Sequence, residues 1–392
     1  MKTVAAANGS HSSHDHGADH ATGDAVPPAE LLRGDLRELG PYPGDAAARL
    51  RYRPGTEVRA AVTAAFAHTV EELGASVSSE PHADAKLHRR QALTAAIARS
   101  TGVASEEIAP FASLATLFSV LCSAFPRSRD RQPASAMLAA PGRQLYKWSA
   151  RAAGVKVVEV PLDAELRPDL AMMTRALGAL RPSLVILGSP HDGTGIAPEP
   201  AALEKLLRAT ANEALVVLDE SFAPPGWSRR SLRRQLGAPH LVLVRSLEPW
   251  LGADAGCSWV ELGPELGRAL EAFPPVARPE LTAAQVAAGE ALLTGEASAR
   301  FAAEAEELHA VHDRLRARLG EVSGTRPLAA HAPFVGVVCE EPVERILEEA
   351  GRRGVAGVTG GGVGRLARLA RIAVADDAEA DRVVRLFAEV SA

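Results

Sequence analysis

Cysteine is scarce in this chain. The three cysteines, Cys122, Cys257 and Cys339, are odd in number and far apart along 392 residues. That pattern suits reduced thiols and argues against a disulfide framework. Basic residues do not dominate either: the formal net charge is -5, and no basic stripe of the kind nucleic acid demands is present. No apolar run approaches about 18 to 20 residues free of charge, which argues against a membrane span. The N-terminus lacks the basic-then-apolar order of a signal peptide. A cytoplasmic protein with no nucleic-acid or membrane partner is expected. Aromatic residues are only 4% of the chain; this bias, with abundant Ala, Arg, Gly and Pro, reads as the signature of a GC-rich genome and carries no functional information.

What is present is ordinary globular composition, 47% hydrophobic and 23% charged, on a chain long enough for two domains. Residues 1–27 are small and polar and are expected to be a disordered tail. This tail interleaves His11, His14, His16 and His20 with Asp15 and Asp19. Imidazole and carboxylate suit zinc, nickel or copper, but the spacing matches no closed structural zinc site, so incidental metal affinity is the favoured reading. Residues 28–100 read as an arm and helices contributing to a smaller domain. From 101 to 275, short apolar runs alternate with helical text. Strands are expected at 136–141, 155–162, 184–190, 214–220 and 240–246, with helices at 145–154 and 199–211. Such runs indicate a mostly parallel sheet covered on both faces. Ligands of such sheets gather at the carboxyl ends of the strands, here 189–195, 219–222 and 246–257. A long helical stretch past 280 leads into a smaller α+β unit, 276–392 in all, with strands near 333–339 and 368–375. Gly360, Gly361, Gly362 and Gly364 lie there in a stretch that reads as a flexible loop, since the strand and Lys-Ser/Thr of a phosphate loop are missing.

Three motifs occur in order. S-P-H-D-G-T-G spans 189–195, D-E-S-F spans 219–222, and R-S-L-E-P-W-L-G-A-D-A-G-C-S-W-V spans 245–260. Together with L-A-R-I-A-V (369–374), they resemble the pyridoxal-phosphate (PLP) dependent aminotransferases of class I/II, fold type I, in the branch of histidinol-phosphate aminotransferase and threonine-phosphate decarboxylase. The resemblance covers roughly 40–390. It implies an aspartate aminotransferase-like α/β fold with a seven-stranded, mostly parallel sheet in the large domain, a small C-terminal α+β domain, and a dimer.

It also implies that the cofactor shell is degenerate. The Schiff-base lysine falls on Pro249, the phosphate-gripping arginine on Cys257, the ring-oxygen asparagine on Asp192, the ring-oxygen tyrosine on Phe222, and the ring-stacking aromatic on Arg143. Glu80 takes the place of the tyrosine lent by a neighbouring subunit. Asp219 keeps the position that holds the pyridine nitrogen protonated. Ser246 and Ser113, beside Ala112, keep phosphate positions, and Arg371 keeps the α-carboxylate position. The chain's remaining lysines, Lys2, Lys86, Lys147, Lys156 and Lys205, fall elsewhere.

Loss of covalent PLP is therefore expected, and three functions follow. A PLP-independent biosynthetic enzyme would bind an amino-acid-like carboxylate through Arg371 and Arg143. Asp219, Asp192, His191 and Glu248 would then be its catalytic candidates, with Glu220 and Cys257 nearby; the same polar types leave a metal open. A non-catalytic binding or partner subunit would form a homodimer, or a heterodimer with an active homologue. A noncovalent binder of PLP or its amine form, pyridoxamine phosphate (PMP), would use Asp219, Ser246 and Ser113.

Overall fold

The computed structural model describes residues 52–76, 82–125, 133–211, 213–223, 238–252, 255–271, 280–360 and 366–390. The histidine-rich tail, Glu80 and Gly361, Gly362 and Gly364 lie outside the described residues. Two helices, α1 (Thr56–Ser76) and α2 (His82–Thr101), precede strand β1 (Ile108–Phe111) and helix α3 (Leu114–Ala124). Then follow β2 (Ser135–Ala140), α4 (Gln144–Ala152), β3 (Lys156–Pro161), α5 (Leu170–Leu180), β4 (Leu184–Gly188), α6 (Pro200–Thr210) and β5 (Leu215–Asp219). After β6 (Leu241–Ser246) come the one-turn helix α7 (Glu248–Leu251), β7 (Ser258–Glu261) and α8 (Pro264–Glu271).

These strands form one sheet in the order β1-β7-β6-β5-β4-β2-β3, with β7 antiparallel to both its neighbours and the other pairings parallel. The expected seven-stranded, mostly parallel sheet is present. Its central strands are buried apart from Leu215 at the start of β5, as continuous Val/Leu/Ile runs require when helices cover both faces. Alternation along the strands sorts the faces. Leu138, Ile186, Val217 and Val244 join a core with Leu117, Phe118 and Leu121 of α3 and with Leu145 and Tyr146 of α4. Met137, Val185, Leu218 and Leu243 join the opposite core with Met173 of α5 and Leu203 and Leu207 of α6.

The expected long helix past 280 is two helices, α9 (Ala283–Thr294) and α10 (Glu296–Leu319). Gly295 breaks it, since its extended backbone (φ -80°, ψ -179°) cannot continue a helix. A capping box formed by Thr282 and Gln285 starts α9. Then β8 (Thr325–Pro327), β9 (Val335–Cys339), α11 (Val343–Arg352), β10 (Val358–Gly360), β11 (Leu369–Ile372) and α12 (Asp377–Val390) complete the chain. Their strands form a separate antiparallel sheet, β10-β11-β9-β8. The sequence placed the helices before residue 100 with this smaller domain. Val58, Leu93 and Ile97 share a core with Trp250, Cys257 and Trp259 at the edge of the large sheet and with Val286, Phe301 and Leu308 of α9 and α10, within the 276–392 segment. Arg53 also reaches Glu379 of α12 at 2.7 Å. Among the described residues no helix is long and apolar enough to cross a membrane.

Candidate functional site

Strand parity decides which carboxylates meet. Asp219 ends β5 on the same face as Val217, toward α3 and α4. There its Oδ2 accepts from Arg143 Nη1 at 2.7 Å and from the Tyr146 hydroxyl at 2.6 Å, while Oδ1 accepts from the Ser221 amide at 2.9 Å. Arg143 Nη1 also donates to Ser221 Oγ at 3.1 Å. The side chains of the ion pair are 1% and 2% exposed, so the charges meet in a medium where each would be costly alone. Burial, then the Asp219 charge, pushes the Tyr146 phenol well up, and it stays a neutral donor. Arg143 and Tyr146 reach the same oxygen because the cap and first turn of α4 follow β2 on this face.

The two candidate carboxylate-binding arginines are each covered by an aromatic ring. The Arg143 guanidinium lies 5.1 Å from the Phe222 ring centre and that of Arg371 4.6 Å from Phe334. Phe222 and Phe334 meet edge to face at 5.7 Å. Arg143, Phe222, Phe334 and Arg371 thus form one stack that joins the large sheet to the small domain, with Ala332 and Ala373 packed beside it.

The 189–195 loop sits beside this stack. His191 and Asp192 are buried. His191 Nδ1 accepts from the amides of Gly193 and Thr194 at 3.2 and 3.3 Å, so a neutral ring carries its proton on Nε2. Burial lowers the His191 pKa, which favours that neutral form. His191 Nε2 lies 3.9 Å from Asp192 Oδ1; Asp192 Oδ1 has no hydrogen-bond partner, and the Pro141 backbone acts on the His191 ring. Both side chains face Gly142, where an added Cβ would stand 3.4 Å from Nε2 and 3.6 Å from Oδ1.

Glu248 lies elsewhere. Its Oε2 accepts from the Leu114 amide, the first of α3, at 2.9 Å, and Ser113 Oγ caps the same helix by accepting from Thr116 at 3.2 Å. The Glu248 amide donates to Ser246 Oγ at 2.9 Å, and that hydroxyl also bonds Ser258 Oγ at 2.8 Å. Pro249 occupies the first turn of α7, where its missing N–H goes unused. Gln285 Nε2 ties the assembly by donating to Ala112 O at 2.6 Å and Gly256 O at 2.9 Å. Gly256 permits the close approach, because a Cβ there would stand 2.4 Å from Glu248 Cα.

The expected cluster therefore divides. Asp219, Asp192, His191, Arg143 and Arg371 gather. Glu248 does not join them as a base, because the α3 amide holds its carboxylate. Glu220 turns to the opposite face, 2.8 Å from Arg245, where burial raises its pKa. Cys257 is fully buried in the apolar core of α2 and α9, and burial pushes its thiol up to about 12. Burial thus favours the thiol over the reactive thiolate. Among the described residues no group of three or more His, Cys, Asp or Glu is arranged to hold a metal. Tyr146 and Gln285 were not anticipated. Tyr146 stands three residues after Arg143, so the helical spacing was a usable signal, whereas Gln285 depended on a contact across 173 residues.

The family model for aminotransferase class I and II matches residues 135–386. Histidinol-phosphate aminotransferase of Methylibium petroleiphilum is 31% identical over 253 residues, covering 64% of this chain and 63% of that relative. The chain thus spans less than two thirds of that relative's length. Among solved structures, histidinol-phosphate aminotransferase of Sinorhizobium meliloti in complex with pyridoxal-5'-phosphate is similar with a TM-score of 0.69 at 20% identity, over 92% of this chain and 97% of that one. A Thermus thermophilus aspartate aminotransferase mutant gives 0.68 at 20% identity, over 92% and 99%. At such identities the likeness speaks to fold alone, and it agrees with the observed sheet order and small domain. The match over more than half its length places the chain in the aminotransferase class I and II family.

Proposed function

We propose that this chain is a non-catalytic member of its family, a binding or partner subunit that neither links nor holds PLP. The observation that carries the reading is the Asp219 carboxylate, which spends one oxygen on Arg143 and Tyr146 and the other on Ser221. Family members are read as using this aspartate on a pyridine nitrogen; here a guanidinium has taken its place. The other side chains fit the cofactor no better. Pro249 offers no amine, Cys257 no charge, and the Glu248 carboxylate stands at the α3 amide where a phosphate would need the donor. Aromatic rings cover both arginines proposed for substrate carboxylates. The partner is a second copy of this chain or an active homologue.

PLP titration followed by absorbance, with borohydride trapping and intact mass, tests the reading. No spectral change and no added mass are expected. A trapped adduct would overturn it and return lysine-dependent chemistry, while a bound but untrapped cofactor would favour a noncovalent binder.

A second reading, a PLP-independent catalyst for an amino-acid-like carboxylate, draws on His191 Nε2 and Asp192 Oδ1. These buried atoms lie 3.9 Å apart, Asp192 Oδ1 has no hydrogen-bond partner, and the Arg371 charge acts on His191. If it holds, Asp192→Ala and Arg371→Ala abolish turnover while leaving the fold intact.

A further inference from the structure

Two opposite charges of this chain stand at two separated anchoring points, and each is satisfied by a group a cofactor would otherwise engage. At one, the Arg143 guanidinium donates to Asp219 at 2.7 Å and lies over the Phe222 ring. At the other, the Glu248 carboxylate accepts the first amide of α3 at 2.9 Å, on an 11-residue helix whose third amide is already taken by Ser113. A helix start favours an anion through its unsatisfied amides and its dipole, and a buried aspartate favours a cation. The charges are matched in sign to both seats.

We propose that Arg143 and Glu248 are built-in replacements for the two ends of PLP. The guanidinium stands in for the protonated ring nitrogen and the carboxylate for the phosphate, so that the large domain keeps its cofactor-bound arrangement with no cofactor. This deepens the reading given above and rests on it. The supporting geometry is specific to the two ends. Arg143 bridges the β2–α4 turn to β5, and Glu248 bridges α7 to α3, while Gly256 has no Cβ to hold α7 away. Ser246 Oγ receives the Glu248 amide at 2.9 Å and bonds Ser258 Oγ at 2.8 Å, which fixes the start of α7.

The test is thermal unfolding of the full chain with and without inorganic phosphate, for the wild type, Glu248→Ala and Glu248→Gln. Absorbance titration with PLP is run in parallel on the wild type and on the Arg143→Ala/Glu248→Ala double variant. Glu248→Ala is expected to unfold a few degrees lower than wild type and to recover on adding phosphate, which leaves the wild type unmoved. The double variant is expected to show a saturable noncovalent PLP absorbance change that the wild type lacks. If Glu248→Ala matches the wild type, or if phosphate raises both equally, Glu248 is no stand-in and the proposal falls. Should Glu248→Ala fail to fold, Glu248→Gln decides: a midpoint equal to wild type overturns the proposal, and a lowered midpoint that phosphate raises upholds it. A double variant that still unfolds cooperatively and gains no PLP binding overturns the proposal, and if it does not fold Glu248→Ala alone decides; PLP binding by the wild type instead overturns the functional reading.

Discussion

At the scale of single residues, the decisive fact is which group the Asp219 carboxylate meets. Asp219 is where the motif D-E-S-F puts it, at the end of a central strand, yet its role follows from Arg143, a residue 76 positions away. An ion pair this deep is poor evidence of added stability, because desolvation offsets much of the attraction; breaking one half of it is costly. Arg143→Met is therefore expected to destabilise the fold by about 3–5 kcal/mol. Adding Asp219→Asn to that variant should cost little more, since the orphaned charge is then gone. Urea unfolding of both single variants and the double closes the cycle, and additive losses would show that the pair is not coupled. Cys257 teaches the converse. Its position in the motif invited a chemical role, but it packs in an apolar core where burial pushes its thiol up to about 12.

At the scale of elements, a histidine links two parts of the smaller domain. His312 of α10 donates from Nδ1 to Leu308 O at 2.7 Å and accepts the Val374 amide on Nε2 at 3.1 Å. Both ring nitrogens are thus used only if the ring is neutral. Burial lowers its pKa from 6.5 to about 4, with His309 acting in the same direction and the Leu308 carbonyl and Asp313 opposing. The unfolded chain takes up the proton first, so this contribution is whole above about pH 6.5 and is lost as pH falls toward about 4. The shift corresponds to about 3 kcal/mol by linkage. His312→Gln should flatten the stability profile in that window; an unchanged acid slope would locate the loss elsewhere. The element pattern itself was largely legible. The runs at 184–190, 214–220 and 240–246 became β4, β5 and β6 with ends shifted by one or two residues. Gly295 was missed as a break because the apolar pattern runs on either side of it.

At the scale of the whole molecule, the two domains are joined by the stack of Arg143, Phe222, Phe334 and Arg371. Arg143 and Arg371, read separately as carboxylate binders, become the ends of one inter-domain contact. On the proposed reading, a lysine placed at position 249 should not confer PLP chemistry. Pro249→Lys is expected to give no borohydride-trapped PLP adduct, because Arg143 and Glu248 still hold both ends of the seat. Intact mass after trapping checks this, and an adduct would mean that the lysine alone had been lacking.

The family, the α/β class and the runs that became β2 to β6 were determined by the sequence alone, because periodicity and motif spacing are local properties of the chain; β1, β7 and the break at Gly295 were not legible there. Which charge neutralises which was decided only by the tertiary structure. Glu248 and Leu114 are 134 residues apart, Arg143 and Asp219 76. A buried charge takes whatever counter-charge or hydrogen-bond donor the packed fold brings within about 3 Å, and no spacing along the chain encodes that distance.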